Sequence, residues 1–167
     1  MQNGSAYIGL TNPKSPTNVG SVMRAAGCYQ AKAVFYTGER YTRAAKFQTD
    51  TKAMRDSIPL QAAESLLDVV PDGAKMVCVE LVEGATPLPE FVHPENAFYV
   101  FGPEDGTIEQ AVVDNADAVV YVPTIGCMNL AATVNVLLYD RLAKSGLSFA
   151  GDALIRQSRD RNNNVKV

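Results

Sequence analysis

Long apolar runs, an excess of basic residues and internal repeats are all missing from this chain of 167 residues, which has a single histidine. No stretch approaches the roughly 20 apolar residues that a membrane-spanning helix needs. The opening MQNGSAYIGL lacks the basic region of a secretory leader. Three cysteines, an odd number without metal-type spacing, argue against a disulfide frame or a zinc site and for a reducing compartment. A cytoplasmic protein without membrane or metal partners is expected. A formal net charge of −3 and a pI near 5.1 exclude a broadly positive surface, so any nucleic-acid partner would need a local patch. Neither GxGxxG nor GxxxxGK occurs, and no phosphate-cradling nucleotide loop is indicated. His93, in FVHPEN, is expected to be an exposed loop residue, which leaves a cysteine–histidine pair without its base.

What is present reads as one domain. Five short runs rich in Val, Phe and Tyr (AYIGL, AVFYT, KMVCVEL, AFYVF and AVVYV) alternate with helical patterns over 18–29, 59–69, 107–115 and 128–144. Strands alternating with helices predict an α/β fold, a mostly parallel sheet with helices on both faces. Ligands of such sheets sit at the carboxyl ends of the strands. There the chain places TNPKSPTNVG, TGERYTR, VEGATPLP, GPEDG and PTIGCMN.

In the first helix Val19, Val22, Met23 and Ala26 form the apolar stripe, and Asn18 stands where an N-cap would. Arg24 lies off that stripe, and its neighbours three and four positions away are Gly20, Ser21, Gly27 and Cys28. Two readings stand: an anion site over bare helix backbone, or a surface arginine with incidental small neighbours. FGPEDG brackets Glu104 and Asp105 with Gly102 and Gly106, as a ligand loop or as a turn before a helix. VPTIGCMN leads into a helix whose start carries Cys127 and Asn129, and whose middle carries Asn135, a buried register device or a dimer contact. Cations cluster over 40–55, with Arg40, Arg43, Lys46, Lys52 and Arg55 against Asp50 alone, and in the tail at Arg156, Arg159, Arg161 and Lys166. Each cluster reads either as an RNA patch or as solvated chain.

Together the stretches N18-V-G-S-V-M-R24, F101-G-P-E104-D-G106 and V122-P-T-I-G-C127-M-N129-L resemble, in order and spacing, the three motifs of the TrmH-type (SpoU) branch of the SPOUT methyltransferases. In the second the last glycine comes one place early, and in the third Cys127 replaces a serine. The resemblance implies a single methyltransferase domain over 1–167, without a separate RNA-binding extension, and a deep C-terminal trefoil knot at about 75–150. It implies S-adenosylmethionine as cofactor, a homodimer with a shared active site, and methylation of a ribose 2′-hydroxyl of RNA, tRNA before rRNA. The alternative is a catalytically weak member that binds S-adenosylmethionine or RNA without turnover. A third class is a generic α/β enzyme using Cys127 as nucleophile.

By the same resemblance Arg24, Asn18, Glu104, Asn129 and Cys127 form the catalytic set. A guanidinium with a pKa above about 12 suits Arg24 to positioning and charge stabilisation better than to general-base work. Leu81, Phe101, Gly102, Glu104, Gly106, Val122 and Met128 would hold the cofactor, while Arg24, Arg40, Arg43 and Lys46 would hold RNA.

Overall fold

A computed structural model describes residues 4–46, 58–148 and 151–167. Seven strands form one sheet: β1 (Ala6–Leu10), β2 (Ala33–Tyr36), β3 (Leu60–Ala62), β4 (Lys75–Val79), β5 (Thr86–Pro87), β6 (Ala97–Phe101) and β7 (Ala118–Tyr121). Their order is β3-β2-β1-β6-β4-β7-β5, and every pairing is parallel. The helices are α1 (Pro16–Cys28), α2 (Arg40–Ala45), α3 (Gln110–Asp114), α4 (Leu130–Lys144) and α5 (Asp152–Ser158), with 3-10 turns at Leu66–Val69 and Leu88–Glu90.

Period-two alternation divides the core between two faces. From β6, Ala97, Tyr99 and Phe101 join a cluster with Val19, Val22 and Met23 of α1 and Val134, Leu137 and Leu138 of α4. Phe98 and Val100 turn the other way, onto Ile108, Val112 of α3 and Leu66. All five β6 residues are buried, as befits a central strand covered on both faces. The predicted class therefore holds, and so does the stripe of α1.

The helix expected over 59–69 does not form. Leu60 and Ala62 pair instead with Val34 and Tyr36 of β2, which would otherwise leave its edge open. Only Leu66–Val69 turns helically, as a 3-10 segment started by Ser65, whose Oγ accepts the Leu67 N–H at 3.2 Å. Local periodicity lost to tertiary pairing here. The two-residue β5, α2 and α5 had no expected counterpart.

Two single-residue expectations also fail. Asn18 is not the cap of α1: the helix begins two residues earlier, at Pro16, and Ser15 Oγ accepts the Asn18 N–H at 3.3 Å. Proline suits that first position because its missing N–H would have been unpaired anyway. Nor is His93 exposed. Its side chain is 6% accessible, wedged between Nε2···Asp140 Oδ2 at 2.7 Å and Nδ1···Tyr99 Oη at 2.8 Å.

Candidate functional site

The loops after β1, β6 and β7 meet at the carboxyl edge of the sheet, and hydrogen bonds join the three sequence motifs there. Glu104 Oε2 accepts from the Ser15 N–H at 2.9 Å and from Asn18 Nδ2 at 3.1 Å, while Oε1 accepts from the Lys14 N–H at 3.1 Å. Asn18 Oδ1 in turn accepts from Asn129 Nδ2 at 3.1 Å. Asn129 is the N-cap of α4, its Oδ1 taking the Ala132 N–H at 3.2 Å. Glu104 thus closes the entry to α1 from another loop, supplying the acidic group that the helix's own first turn lacks. Burial alone would raise its pKa, but bonds from backbone N–H groups and Asn18 outweigh this and hold it below the usual value.

Arg40, at the start of α2, makes a forked pair with Asp105: Nη1 to Oδ2 at 2.8 Å and Nη2 to Oδ1 at 3.0 Å. Nη2 also donates to the Asn12 carbonyl at 2.6 Å. The hydrogen bond from Arg40 is the main cause that lowers the Asp105 pKa. Arg43 pairs with Glu39 one turn away, at 2.8 Å, and Lys46 is exposed. The cluster is therefore less one-sided than its sequence implies. Lys52, Arg55 and Asp50 lie outside the described residues. In the tail, Arg156 is exposed on α5.

Arg24 is exposed and has no hydrogen-bond or ion-pair partner among the described residues. A Cβ added at Gly20 or Gly27 would meet nothing within 4 Å. Each glycine costs a helix about 1 kcal/mol against alanine, and packing among the described residues does not require either one. Asn135 is exposed rather than buried, its Nδ2 turned back to the Ala131 carbonyl at 2.9 Å.

The remaining predicted positions rim the same edge, because β6, β4 and β7 are neighbours in the sheet. Leu81 is half-exposed, Val122 and Met128 are partly covered, and Ile125 is fully exposed. Cys127 is exposed in the same loop, and Gly106 is exposed after Asp105. Phe101 is buried, and its carbonyl already accepts the Thr11 N–H at 3.0 Å. Gly102 is closely hemmed: a Cβ there would come within 2.9 Å of Glu80 Oε2 and 3.3 Å of the Ile108 nitrogen.

Sequence reasoning missed Glu80. Its Oε2 accepts the Ile108 N–H at 3.3 Å and its Oε1 the Leu81 N–H at 2.9 Å, tying the loop after β4 to the loop after β6. It also missed the Arg40–Asp105 pair, since residues 65 positions apart carry no local signal.

The family model described as the SpoU rRNA methylase family matches residues 5–139. The chain belongs to the SpoU rRNA methylase family. No curated protein matches it by sequence. Among solved structures that resemble this SpoU chain, the AdoMet-bound rRNA methyltransferase from Sinorhizobium meliloti is 21% identical over 88% of this chain, with a TM-score of 0.69. The SpoU chain spans only 59% of that protein's length. The A. aeolicus TrmH/SpoU tRNA modifying enzyme is 16% identical, with 93% of this chain and 86% of that one covered and a TM-score of 0.67. A protein described in connection with 2-OH methylation of C/U34 on tRNA is 20% identical, with 85% and 97% covered and a TM-score of 0.67. At these identities the likeness is one of fold.

Proposed function

We propose that this chain transfers a methyl group from S-adenosylmethionine to a ribose 2′-hydroxyl of RNA, with tRNA the first candidate. The observation that carries this reading is the Glu104–Asn18–Asn129 chain, which holds the three motifs in one site. The near-equal length of the protein linked to C/U34 methylation on tRNA supports a tRNA substrate. We further propose a cytoplasmic homodimer with one SPOUT domain per chain, whose backbone is knotted at about 75–150.

The rim of the site suits the cofactor. Leu81, Val122 and Met128 offer apolar surface for an adenine, and Ile125 extends it. Gly102 and Gly106 add no side chain at the two ends of the loop after β6, and Glu104 and the backbone at Phe101 hold that loop in place. When bound, S-adenosylmethionine supplies a methyl group activated by its sulfonium, so alignment of the ribose oxygen is the protein's main task.

Arg24 can take that role, its guanidinium unpaired among the described residues and its helix face bare at Gly20 and Gly27. The glycine cost is recovered when a sugar–phosphate backbone or the partner subunit approaches closely. Asn18 and Asn129 fix the start of α1, and with it the direction of Arg24. Arg43 and Lys46 offer phosphate contacts on the surface of and just beyond α2. Cys127, exposed near the site, stands where a serine would donate a stronger hydrogen bond to the target nucleotide.

Mass spectrometry of nucleosides tests the reading. RNA incubated with protein and methyl donor should gain a 2′-O-methylated nucleoside, and calorimetry should detect S-adenosylhomocysteine. Binding without methylation of tRNA or rRNA would favour the non-catalytic alternative. No binding at high micromolar concentration would sink both.

A further inference from the structure

We propose that Arg40 is a positioning residue that locks the Glu104 loop against the entry of α1, and that it serves the reaction from inside the protein rather than by holding RNA. The inference rests on the methyltransferase reading above and deepens it.

Three loops at the carboxyl edge converge on this one side chain. Arg40 opens α2 after β2, its fork holds Asp105 in the loop after β6, and Nη2 holds the Asn12 carbonyl in the loop after β1. Asp105 adjoins Glu104, the carboxylate that takes the Lys14 and Ser15 amides and the Asn18 side chain. Fixing Asp105 at two oxygens therefore limits the swing of Glu104, and through Asn18 the link to Asn129. Of the five N–H donors of the Arg40 guanidinium, three are used internally and the Nε–H is buried, so little of it is left for a phosphate.

The surroundings mark this as more than a surface ion pair. Asn12 has a φ of 41°, uncommon for a residue other than glycine, and lies directly after Thr11. The buried side-chain atoms without a partner among the described residues are Thr11 Oγ1, Asn12 Oδ1 and Arg40 Nε. All three belong to this clamp and its loop. Backbone strain and unpaired buried polar atoms concentrate where a structure holds a functional geometry at some cost. Arg40 and Asp105 are both partly exposed, so their pairing adds little to global stability, and variants will fold.

The test compares Arg40→Ala, Asp105→Asn, their double variant and the charge exchange Arg40→Asp with Asp105→Arg. Each single variant should lower kcat for RNA methylation about tenfold, with KM for RNA and its salt dependence unchanged. The double should be no worse than either single, as for residues that act as a unit. The charge exchange should recover part of the loss. An RNA-contacting Arg40 would behave otherwise: Arg40→Ala alone would raise KM and flatten the salt slope by about one phosphate contact, and that result overturns the proposal.

Hydrogen exchange gives a readout that needs no turnover. The Lys14 and Ser15 amides, held by Glu104, should exchange about tenfold faster in both single variants. Unchanged exchange overturns the clamp even if methylation falls. A wild-type protein that methylates no RNA defeats the methyltransferase reading, while the exchange rates still decide the clamp.

Discussion

Two polar networks lie toward opposite ends of the same parallel strands, and they are built on opposite principles. At the carboxyl edge Glu104, Asn18, Asn129, Arg40 and Asp105 are partly exposed and join loops from four strands' ends, and Arg24 of α1 has no hydrogen-bond or ion-pair partner among the described residues. Toward the amino edge His93, Tyr99, Asp140, Arg141 and Lys144 are packed between α4 and the segment before β6, and their groups are paired. Arg141 donates to the Pro94 and Glu95 carbonyls at 2.7 and 2.6 Å, and to Tyr99 Oη at 2.9 Å. Lys144 donates to the Leu88 and Phe91 carbonyls at 2.6 and 3.0 Å and pairs with Asp140 at 2.8 Å.

The second network assigns its own protons. The Asp140 carboxylate can only accept, so His93 Nε2–H donates to it, and in a neutral imidazole Nδ1 then accepts from the Tyr99 hydroxyl, whose oxygen accepts from Arg141. Burial lowers the His93 pKa against the opposing pull of Asp140, and burial pushes Tyr99 up to about 12, so both stay neutral. A saturated network fastens helix to sheet. One with open valences can receive something else.

Breaking the comparison at its active pole should have the largest effect. Arg24→Ala is expected to lower methylation about a hundredfold or more, the scale of losing one preorganised charge-stabilising donor. Its melting temperature should not change, because the exposed side chain makes no hydrogen bond or ion pair with another described residue; a methyl-transfer assay and a thermal melt made together check both halves. Next comes Asn129→Ala, which removes both the cap of α4 and the link to Asn18. About 1 kcal/mol of stability should go with the cap, and activity should fall about tenfold even well below the melting point, as orientation is lost.

At the other pole the order of effects reverses. Tyr99→Phe strands His93 Nδ1 without a donor and takes from Arg141 one of its three acceptors, at about 1–3 kcal/mol. That is roughly 2–4 °C of melting temperature per kcal/mol for a chain of this size. Calorimetric affinity for S-adenosylhomocysteine should stay as in the wild type; a matching loss of affinity would mean that the two ends are coupled.

The smallest effect is that of pH. Glu104 has a lowered folded-state pKa, so its stabilising contribution is present above the ordinary carboxylate value of about 4.3 and fades as pH falls through the folded value. The melting-temperature gap between wild type and Glu104→Gln should accordingly be constant near neutrality and narrow below about pH 4. A gap that widened on acidification would contradict the assigned hydrogen bonds.

Much of this was legible in advance. Five strands, the stripe of α1 and the long α4 follow from periodicity, because each is a pattern within a dozen residues. Gly20, Arg24, Glu104 and Asn129 were singled out by motif order and strand-end placement, and the hydrogen bonds of Glu104 and Asn129 to the entry of α1 join the motifs that carry them. Two of the errors share one cause. Leu60 and Ala62 became a strand and His93 became buried because of partners 26 and 47 residues away. Asn18 lost the cap to Ser15 for a local reason, the proline at 16 starting the helix earlier.

By itself the sequence determined the alternation of strands and helices, a sheet buried on both faces, and the three motifs that stand at strand ends. Those are properties of short windows, where side-chain volume and backbone preference act without reference to the rest of the chain. Only the tertiary structure decided which polar groups would be used up in pairing and which left open. That choice depends on the strand order β1-β6-β4-β7, which sets residues some 90 positions apart side by side and gives Glu104 to the first turn of α1.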